Sequence, residues 1–282
     1  MFLVASLTAA TARAEIRIVG TDLLGVEFSK ALYECAGRHR LGIRLALDGS
    51  RPGLDQLKAG RADLALVVAP TDGKETPAGF CSVVVGYFRV LVLVPAACPL
   101  ERISFDQLAA VFGSEGTTGA VRWSELGVGG EWEGNVVAAV APEVGTGLAL
   151  EHFRHVVLRG TALRSNVARF DSPADLAAMF TEGRRVLAIA AAPPAGAAAK
   201  ILPVARRPLG EAFTPTAENV HAGHYPLRLP VRLVFRRETV LALKPLLDFL
   251  LGDGAVAPLT GAGVIAVPRP AREELVFALE KT

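Results

Sequence analysis

The 282 residues of this chain are 51% hydrophobic but only 6% aromatic, a composition that excludes a disordered chain and is typical of buried parallel strands covered by helices. The 30 Lys and Arg residues nearly balance the 28 Asp and Glu residues, which excludes the excess positive field of a nucleic-acid-binding or membrane-surface protein, so any anion site must be local. The length allows two α/β domains of ordinary size.

The first 14 residues are apolar and end in Ala12-Arg13-Ala14, a pattern of small residues typical of a signal-peptide cleavage site. We interpret them as the remnant of a secretory signal and expect the protein to be exported. The most apolar later stretch, Val83–Ala97, is interrupted by Tyr87 and Arg89 and is shorter than the roughly 20 residues of a membrane span. We therefore expect a protein that does not span a membrane.

From Glu15 onward, strand and helix patterns alternate, as in a parallel sheet with crossover helices. The predicted elements of the first third are strand Ile16–Val19, helix Leu24–Gly37, strand Ile43–Leu47, helix Leu54–Ala59, strand Leu64–Val68, loop Pro70–Gly79 and long β structure over Val83–Val94.

The character of the chain changes near Pro95–Pro99. Ser104 then precedes an apolar helix that ends before Gly113, which is the usual pattern of an N-cap and a C-terminal glycine. The later predicted elements are strand Asn135–Ala141, helix Leu148–Leu158, helix Pro173–Glu182, strand Val186–Ala191, strand Val231–Phe235 and helix Leu241–Leu251.

The segment with the clearest chemistry is the loop Asp48-Gly49-Ser50, which lies between a strand and a helix. Backbone N–H groups at the start of a helix, together with one hydroxyl, make a site that favours an anion. This is binding chemistry, and nothing in it requires catalysis.

In its order of motifs the chain resembles the phosphate-binding proteins that deliver anions to ABC transporters. The motifs that carry the resemblance are the Gly49-Ser50 loop, Gly60-Arg61-Ala62-Asp63, the helix after Ile103 followed by Trp123-Ser124-Glu125-Leu126-Gly127, Tyr225-Pro226-Leu227, and the closing segment Thr260 to Pro268.

The resemblance spans Glu15 to Pro268 and implies an α/β chain with the two-lobe, type II periplasmic-binding-protein fold. Each lobe would be a mostly parallel sheet flanked by helices, and a two-strand hinge would join the lobes. Residues 15–94 would begin lobe 1, residues 95–225 would form lobe 2, and residues 226–282 would return to lobe 1 and end in a helix. Hinged lobes of this kind close around ligands.

The resemblance also implies that two loops of lobe 1 bind the anion. Thr21 and Asp22 lie in the first loop, where Thr21 keeps one hydroxyl and Leu23 replaces a second. The second loop contains Ser50, at the anion-binding serine position. Arg51, directly after it, is unusual for the family, but its guanidinium suits an oxyanion. The alternative interpretation is that Asp22 and Ser50 only cap the helices that follow them and that Arg51 is an exposed surface residue.

Two further segments complete the expected site. Asp63 matches an acidic residue that accepts a hydrogen bond from hydrogen phosphate, although an aspartate that only holds the end of a strand is an equal alternative. Gly145, Thr146 and Gly147 stand where the family has Arg-x-x-Gly-Ser-Gly-Thr. The arginine is missing from Ala138–Pro142, and each charged hydrogen bond lost from an oxyanion weakens binding by about 1.5–3 kcal/mol. This departure favours a weaker-binding anion or another small polar solute.

The cysteines Cys35, Cys81 and Cys98 form no C-x-x-C pair and have no histidine cluster nearby, so we do not expect a zinc site. One disulfide with one free thiol, and three buried thiols, are both compatible with the sequence.

No pattern points to catalysis. The pairs His152 and His155, and His221 and His224, lack nearby carboxylates for a metal site. The sequence contains no Gly-x-Ser-x-Gly elbow. We predict no enzyme activity, no catalytic residue, no metal and no cofactor.

The leading hypothesis is an exported, monomeric periplasmic solute-binding protein that clamps a small oxyanion, phosphate by default, and presents it to ABC permease subunits. It would bind no nucleic acid. The alternative is a degenerate binding-protein fold that acts as an interaction or sensory module in the cell envelope.

Overall fold

A computed structural model describes residues 15–68, 76, 78–115, 119–143 and 148–281. The predicted signal-peptide remnant lies outside the described residues, and so does most of the predicted loop over Pro70–Gly79.

The first third of the chain forms strands and helices close to the predicted bounds. They are β1 (Ile16–Gly20), α1 (Gly25–Arg38), β2 (Ile43–Ala46), α2 (Ser50–Lys58), β3 (Leu64–Val68) and β4 (Phe80–Arg89). Helix α2 begins four residues before the predicted start at Leu54 because Pro52, with its fixed φ, suits the first turn of a helix.

The middle of the chain follows without returning to the first sheet. Its elements are β5 (Leu91–Pro95), β6 (Ile103–Ser104), α3 (Phe105–Phe112), β7 (Ala138–Pro142), α4 (Leu148–Val156), β8 (Ala168–Phe170), α5 (Pro173–Thr181), β9 (Val186–Ala190), β10 (Ala199–Ile201), β11 (Val204–Ala205), β12 (Ala212–Phe213) and α6 (Ala217–Ala222). The predicted caps of α3 are confirmed, since the Ser104 hydroxyl accepts a hydrogen bond from the Gln107 N–H and Gly113 ends the helix.

The last part of the chain then forms β13 (Arg228–Arg236), α7 (Val240–Leu251), α8 (Val256–Gly261), β14 (Ile265–Ala266) and α9 (Arg269–Glu280). Short 3₁₀ helices lie at Trp123–Leu126, Gly130–Trp132, Arg237–Thr239 and Asp253–Ala255.

The first lobe is built on a six-stranded sheet with the order β14-β4-β13-β3-β1-β2. Strands β1, β2 and β3 are parallel, whereas β13 runs antiparallel between β3 and β4. Helices cover both faces: α1 and α7 pack on one face around Phe28 and Leu246, and α2 packs on the other through Leu57. The apolar side chains that the sequence places at helical and strand spacing thus fill two layers of one lobe.

The second lobe contains a five-stranded sheet with the order β10-β5-β9-β7-β8 and a three-stranded sheet with the order β12-β11-β6. Strands β7, β8 and β9 are parallel, and β5 is antiparallel to β9. Trp123 is fully buried in the larger core of this lobe and meets Trp132 edge to face. Within the motif Trp123–Gly127, Trp123 and Leu126 therefore serve packing.

The two lobes are joined by a two-strand hinge. The predicted β structure over Val83–Val94 divides at Val90, where the chain leaves the first sheet and enters the second. The Val90 N–H donates to the carbonyl of Leu227, which precedes β13, at 2.9 Å. The buried hydroxyl of Tyr225 donates to the Val90 carbonyl at 2.5 Å. Hydrogen bonds therefore hold together the two chain segments that connect the lobes.

All three cysteines are free thiols, and Cys35 and Cys98 are buried. Burial raises the pKa of both of these thiols. The interpretation of three buried thiols therefore holds for Cys35 and Cys98, whereas Cys81 is half-buried.

Among the described residues, no helix has both the length and the apolar character needed to cross a membrane.

Candidate functional site

The candidate site lies where the parallel strands β1, β2 and β3 end. Because these strands are neighbours and run in the same direction, the segments that follow them meet at one edge of the sheet. In open α/β sheets, ligands bind outside the carboxyl ends of the strands.

Gly20 brings the first two loops together. The Gly49 N–H donates to the Gly20 carbonyl at 2.8 Å, and a Cβ on Gly53 would lie only 2.5 Å from the Gly20 Cα. Gly20 itself has φ +125°, where a side chain would be strained and would also meet the Leu66 carbonyl. The glycines therefore allow the loop that starts at Thr21 to touch the first turn of α2.

Thr21 is 1% exposed and its backbone is fixed by a hydrogen bond from its N–H to the Leu66 carbonyl, at 2.8 Å. Its hydroxyl oxygen accepts a hydrogen bond from the Leu23 N–H at 3.2 Å. A threonine hydroxyl also carries one proton, so Thr21 can donate to a second group.

Ser50 is the first residue of α2, and its hydroxyl oxygen accepts a hydrogen bond from the Val68 N–H at 2.8 Å. This bond ties the Ser50 loop to the end of β3 and leaves the hydroxyl proton to be donated elsewhere. The N-cap residue is Gly49, which has no side chain to cap the first turn. The hydroxyl of Ser50 and the positive end of the helix dipole thus lie at one place.

The side chains of Asp22 and Arg51 are exposed. Asp22 does not cap α1, because that helix begins at Gly25 with Leu24 as its N-cap and has no side-chain cap. The alternative interpretation, that Asp22 only caps the helix that follows it, is therefore wrong. Arg51 lies on the first turn of α2, next to Ser50.

Asp63 is not brought to this site. Its carboxylate accepts a hydrogen bond from the Arg17 N–H at 2.8 Å and lies 3.5 Å from the Arg17 guanidinium. Both residues are at the starting ends of their strands, whereas Ser50 is bonded to the last residue of β3. Five residues of extended chain separate these ends by about 16 Å. Asp63 therefore holds the end of a strand.

The predicted contacts of the second lobe, Gly145, Thr146 and Gly147, lie outside the described residues. Leu148 and Ala149 open helix α4 and face a cavity of about 230 Å³ between the lobes. Leu23 lines the same cavity from the first lobe. The position where the sequence loses a hydroxyl thus contributes an apolar wall to the cleft.

Arg89 and His152 also line this cavity, and sequence reasoning did not place either of them at the site. Burial lowers the pKa of the Arg89 guanidinium, although an arginine stays charged at neutral pH. The available signal was a charged residue within the apolar run Val83–Val94. Arg89 is the last residue of β4, directly before the hinge, and it brings a basic residue to the cavity, whereas β7 (Ala138–Pro142) contains no arginine.

No group of three or more histidine, cysteine or acidic side chains that could hold a metal ion occurs in the part of the chain that the structure describes.

Solved structures share this fold. A possible phosphate binding protein from Planctomyces limnophilus DSM 3776 matches with a TM-score of 0.74 and 17% identity, over 95% of this chain and 98% of that one. PstS from Borrelia burgdorferi matches with a TM-score of 0.72 and 14% identity, over 89% and 98% of the two chains. An ABC-type phosphate transport receptor from Vibrio cholerae matches with a TM-score of 0.67 and 16% identity, over 88% and 98%.

No protein-family model and no curated protein matches the sequence. The likeness therefore concerns the fold: the chain has the two-lobe, phosphate-binding-protein-like periplasmic binding fold, and these neighbours are binding proteins.

Proposed function

We propose that this protein is an exported binding protein that closes its two lobes on a small oxyanion, with phosphate as the default ligand, and presents it to an ABC permease. The observation that carries the proposal is the contact between the Thr21 loop and the Ser50 turn at Gly20.

The donors at this contact suit an oxyanion. Thr21 and Ser50 each use the hydroxyl oxygen as an acceptor within the protein and keep a proton to donate. The first turn of α2 adds backbone N–H groups and the positive end of its dipole. An anion at this point would accept hydrogen bonds from the backbone N–H groups of this turn, which has no side-chain cap.

Arg89, which lines the cavity between the lobes, would compensate the negative charge of the anion. Arg51 provides a second guanidinium on the first turn of α2. A charge-assisted hydrogen bond is roughly twice as strong as a neutral one. We assign Gly145, Thr146 and Gly147 to the matching contact from the second lobe, and the backbone of Asp22 to the first. Asp63 is left out because Arg17 occupies it.

The names of the structural neighbours support transport, since one is a phosphate transport receptor. Export is supported by the signal-like pattern of the first 14 residues. Delivery by a monomer to permease subunits belongs to the same proposal.

The test is calorimetric titration of the chain with inorganic phosphate, arsenate and sulfate at constant ionic strength. Replacing Ser50 by Ala removes a hydroxyl that donates to the anion, so we expect S50A to bind phosphate about 10–100-fold more weakly. We also expect S50A to lose about 1 kcal/mol of unfolding free energy, because the Val68 N–H loses its acceptor.

The matched control is Asp63→Asn. Asp63 lies directly before β3, whereas the Ser50 hydroxyl is bonded to the last residue of that strand, so D63N should bind phosphate like the wild type. Thermal unfolding adds an independent readout, because a ligand at a hundredfold excess over Kd stabilises the protein by about 2.7 kcal/mol. No stabilisation by any of the three anions would overturn the proposal and would favour an interaction module.

A further inference from the structure

A second cavity, of about 380 Å³, lies between the hinge strands of the first lobe and helix α4 of the second. We call it the hinge cavity. Its polar lining consists of Tyr87, His152, His155, Arg206, Arg228 and Arg232. It shares His152 with the cavity of about 230 Å³ described above, and neither cavity is lined by Thr21 or Ser50.

The alternation of β13 explains why arginines face this cavity. Arg228 and Arg232 are four residues apart and lie on the same face of the strand, whereas Leu229, Val231 and Leu233 lie on the opposite face in the apolar core. Strand β13 lies inside the sheet, between β3 and β4. The basic face of β13 borders the space between this sheet and helix α4 of the second lobe.

The lining of the hinge cavity is basic. Within the described part of the chain, the cavity is lined by three arginines and no acidic residue. Arg228 is held in place because its guanidinium donates to the Val220 and His221 carbonyls at 2.5 and 2.9 Å and lies 4.7 Å from the centre of the Tyr87 ring. Like charges gathered in one concave site attract an anion, and a fixed guanidinium loses little entropy on binding it.

His152 supplies an independent sign of a ligand. The side chain is 5% exposed, its ring is within reach of the backbone of Arg228, and neither nitrogen makes a well-formed hydrogen bond among the described residues. Buried polar groups in proteins almost always have good partners, so a buried ring with at most this one weak partner needs an explanation. A ligand in the adjacent cavity provides one, because a neutral imidazole both donates and accepts a hydrogen bond.

The volume and the lining of the hinge cavity indicate a ligand larger than an inorganic ion. Its volume falls in the range of roughly 300–1,000 Å³ typical of small-molecule sites. Val84, Pro226 and Pro230 form an apolar part of its wall, beside the ring of Tyr87. We propose that the hinge cavity is a second binding site, which takes an organic phosphate monoester: the phosphoryl group would contact the arginines, and the organic part would pack against Tyr87 and the apolar wall.

The experiment is calorimetric titration of the full chain with phenyl phosphate, with phenol as the neutral analogue. Arg206 is exposed, so we expect R206Q to fold normally and to bind phenyl phosphate about tenfold more weakly. Arg232→Gln, tested in parallel, should give a similar loss. Arg237→Gln, an exposed arginine just after β13 and outside the cavity, should bind like the wild type.

Ser50→Ala separates this site from the oxyanion site. We expect S50A to lose affinity for inorganic phosphate and to keep wild-type affinity for phenyl phosphate. Loss of phenyl phosphate binding in S50A, unchanged binding in both R206Q and R232Q, or no wild-type binding tighter than about 1 mM would each overturn the hinge site. Wild-type binding of phenyl phosphate without any binding of inorganic phosphate, arsenate or sulfate would overturn only the proposed function.

Discussion

Arg89 shows how one residue can change the chemistry of the cleft. It is the last residue of β4, directly before the hinge, and its side chain lines the cavity that Leu23 and Leu148 also line. The apolar walls exclude water, which strengthens any charged interaction inside. In this position a single guanidinium can offset the arginine missing from β7 (Ala138–Pro142).

We predict that Arg89→Gln weakens phosphate binding by about 10–100-fold, because a charge-assisted hydrogen bond contributes about 1.5–3 kcal/mol. The glutamine keeps polar atoms in the cleft and removes the charge. The affinity is measured by titration at two ionic strengths. Arg61→Gln, an exposed arginine near the start of β3, is the control. If R89Q and R61Q bind phosphate equally well, Arg89 is not a ligand contact.

At the scale of elements, the site depends on how closely the turn after β1 approaches α2. Gly53 is buried against Gly20, and this contact has no space for a Cβ. The helix dipole and the Thr21 loop converge only because both positions lack side chains.

Gly53→Ala therefore should lower the unfolding free energy by about 1–3 kcal/mol, as overpacking usually does, and should also weaken phosphate binding. Its Cβ would lie 2.5 Å and 2.6 Å from backbone atoms of Gly20, which cannot move without displacing the loop. Urea unfolding and titration measure the two effects. The control, Gly37→Ala in α1, has open space around the new methyl group and should raise helix stability by up to about 1 kcal/mol. Wild-type affinity in G53A would show that the loop contact is not needed for the site.

The elements also show what the sequence could predict. The strand Leu64–Val68 is confirmed residue for residue, and this assignment already puts Asp63 at the start of the strand, away from the edge where Ser50 lies. The family motif predicted that Asp63 contacts the anion, whereas the direction of β3 places Asp63 at the end of the sheet opposite Ser50. The basic face of β13 escaped prediction because Arg228 and Pro230 precede the apolar residues that define the predicted strand, Val231–Phe235. The apposition of β13 and α4 depends on how the two lobes meet, which no local pattern encodes.

At the scale of the whole molecule, the interface of the lobes contains a group that titrates abnormally. Burial, reinforced by the nearby charge of His155, lowers the pKa of His152 to about 4. The unfolded chain has a histidine with an ordinary pKa of about 6.5. Between these two values the unfolded state binds a proton that the folded state does not, so stability falls as the pH is lowered through that window.

We expect this residue to remove on the order of 3 kcal/mol of unfolding free energy between pH 7 and pH 4. Urea unfolding of the wild type and of His152→Leu over this range isolates the contribution, since other titrating groups act on both proteins. The leucine variant should lose less stability on acidification, whereas His39→Gln, which alters an exposed histidine, should follow the wild type. Parallel pH profiles of the wild type and H152L would contradict the assignment.

The position of β13 inside the first sheet has a consequence for the order of folding. The second lobe is continuous in the chain, whereas β3 and β4 are paired by a strand that follows the entire second lobe. Contacts of such long sequence separation form slowly, because the chain loses the entropy of closing the intervening loop before strand pairing contributes any stability. Until residues 228–236 emerge, β3 has an unpaired edge of the kind that recruits other chains. The first lobe is therefore the last part to be completed, and it is the part most exposed to aggregation during synthesis.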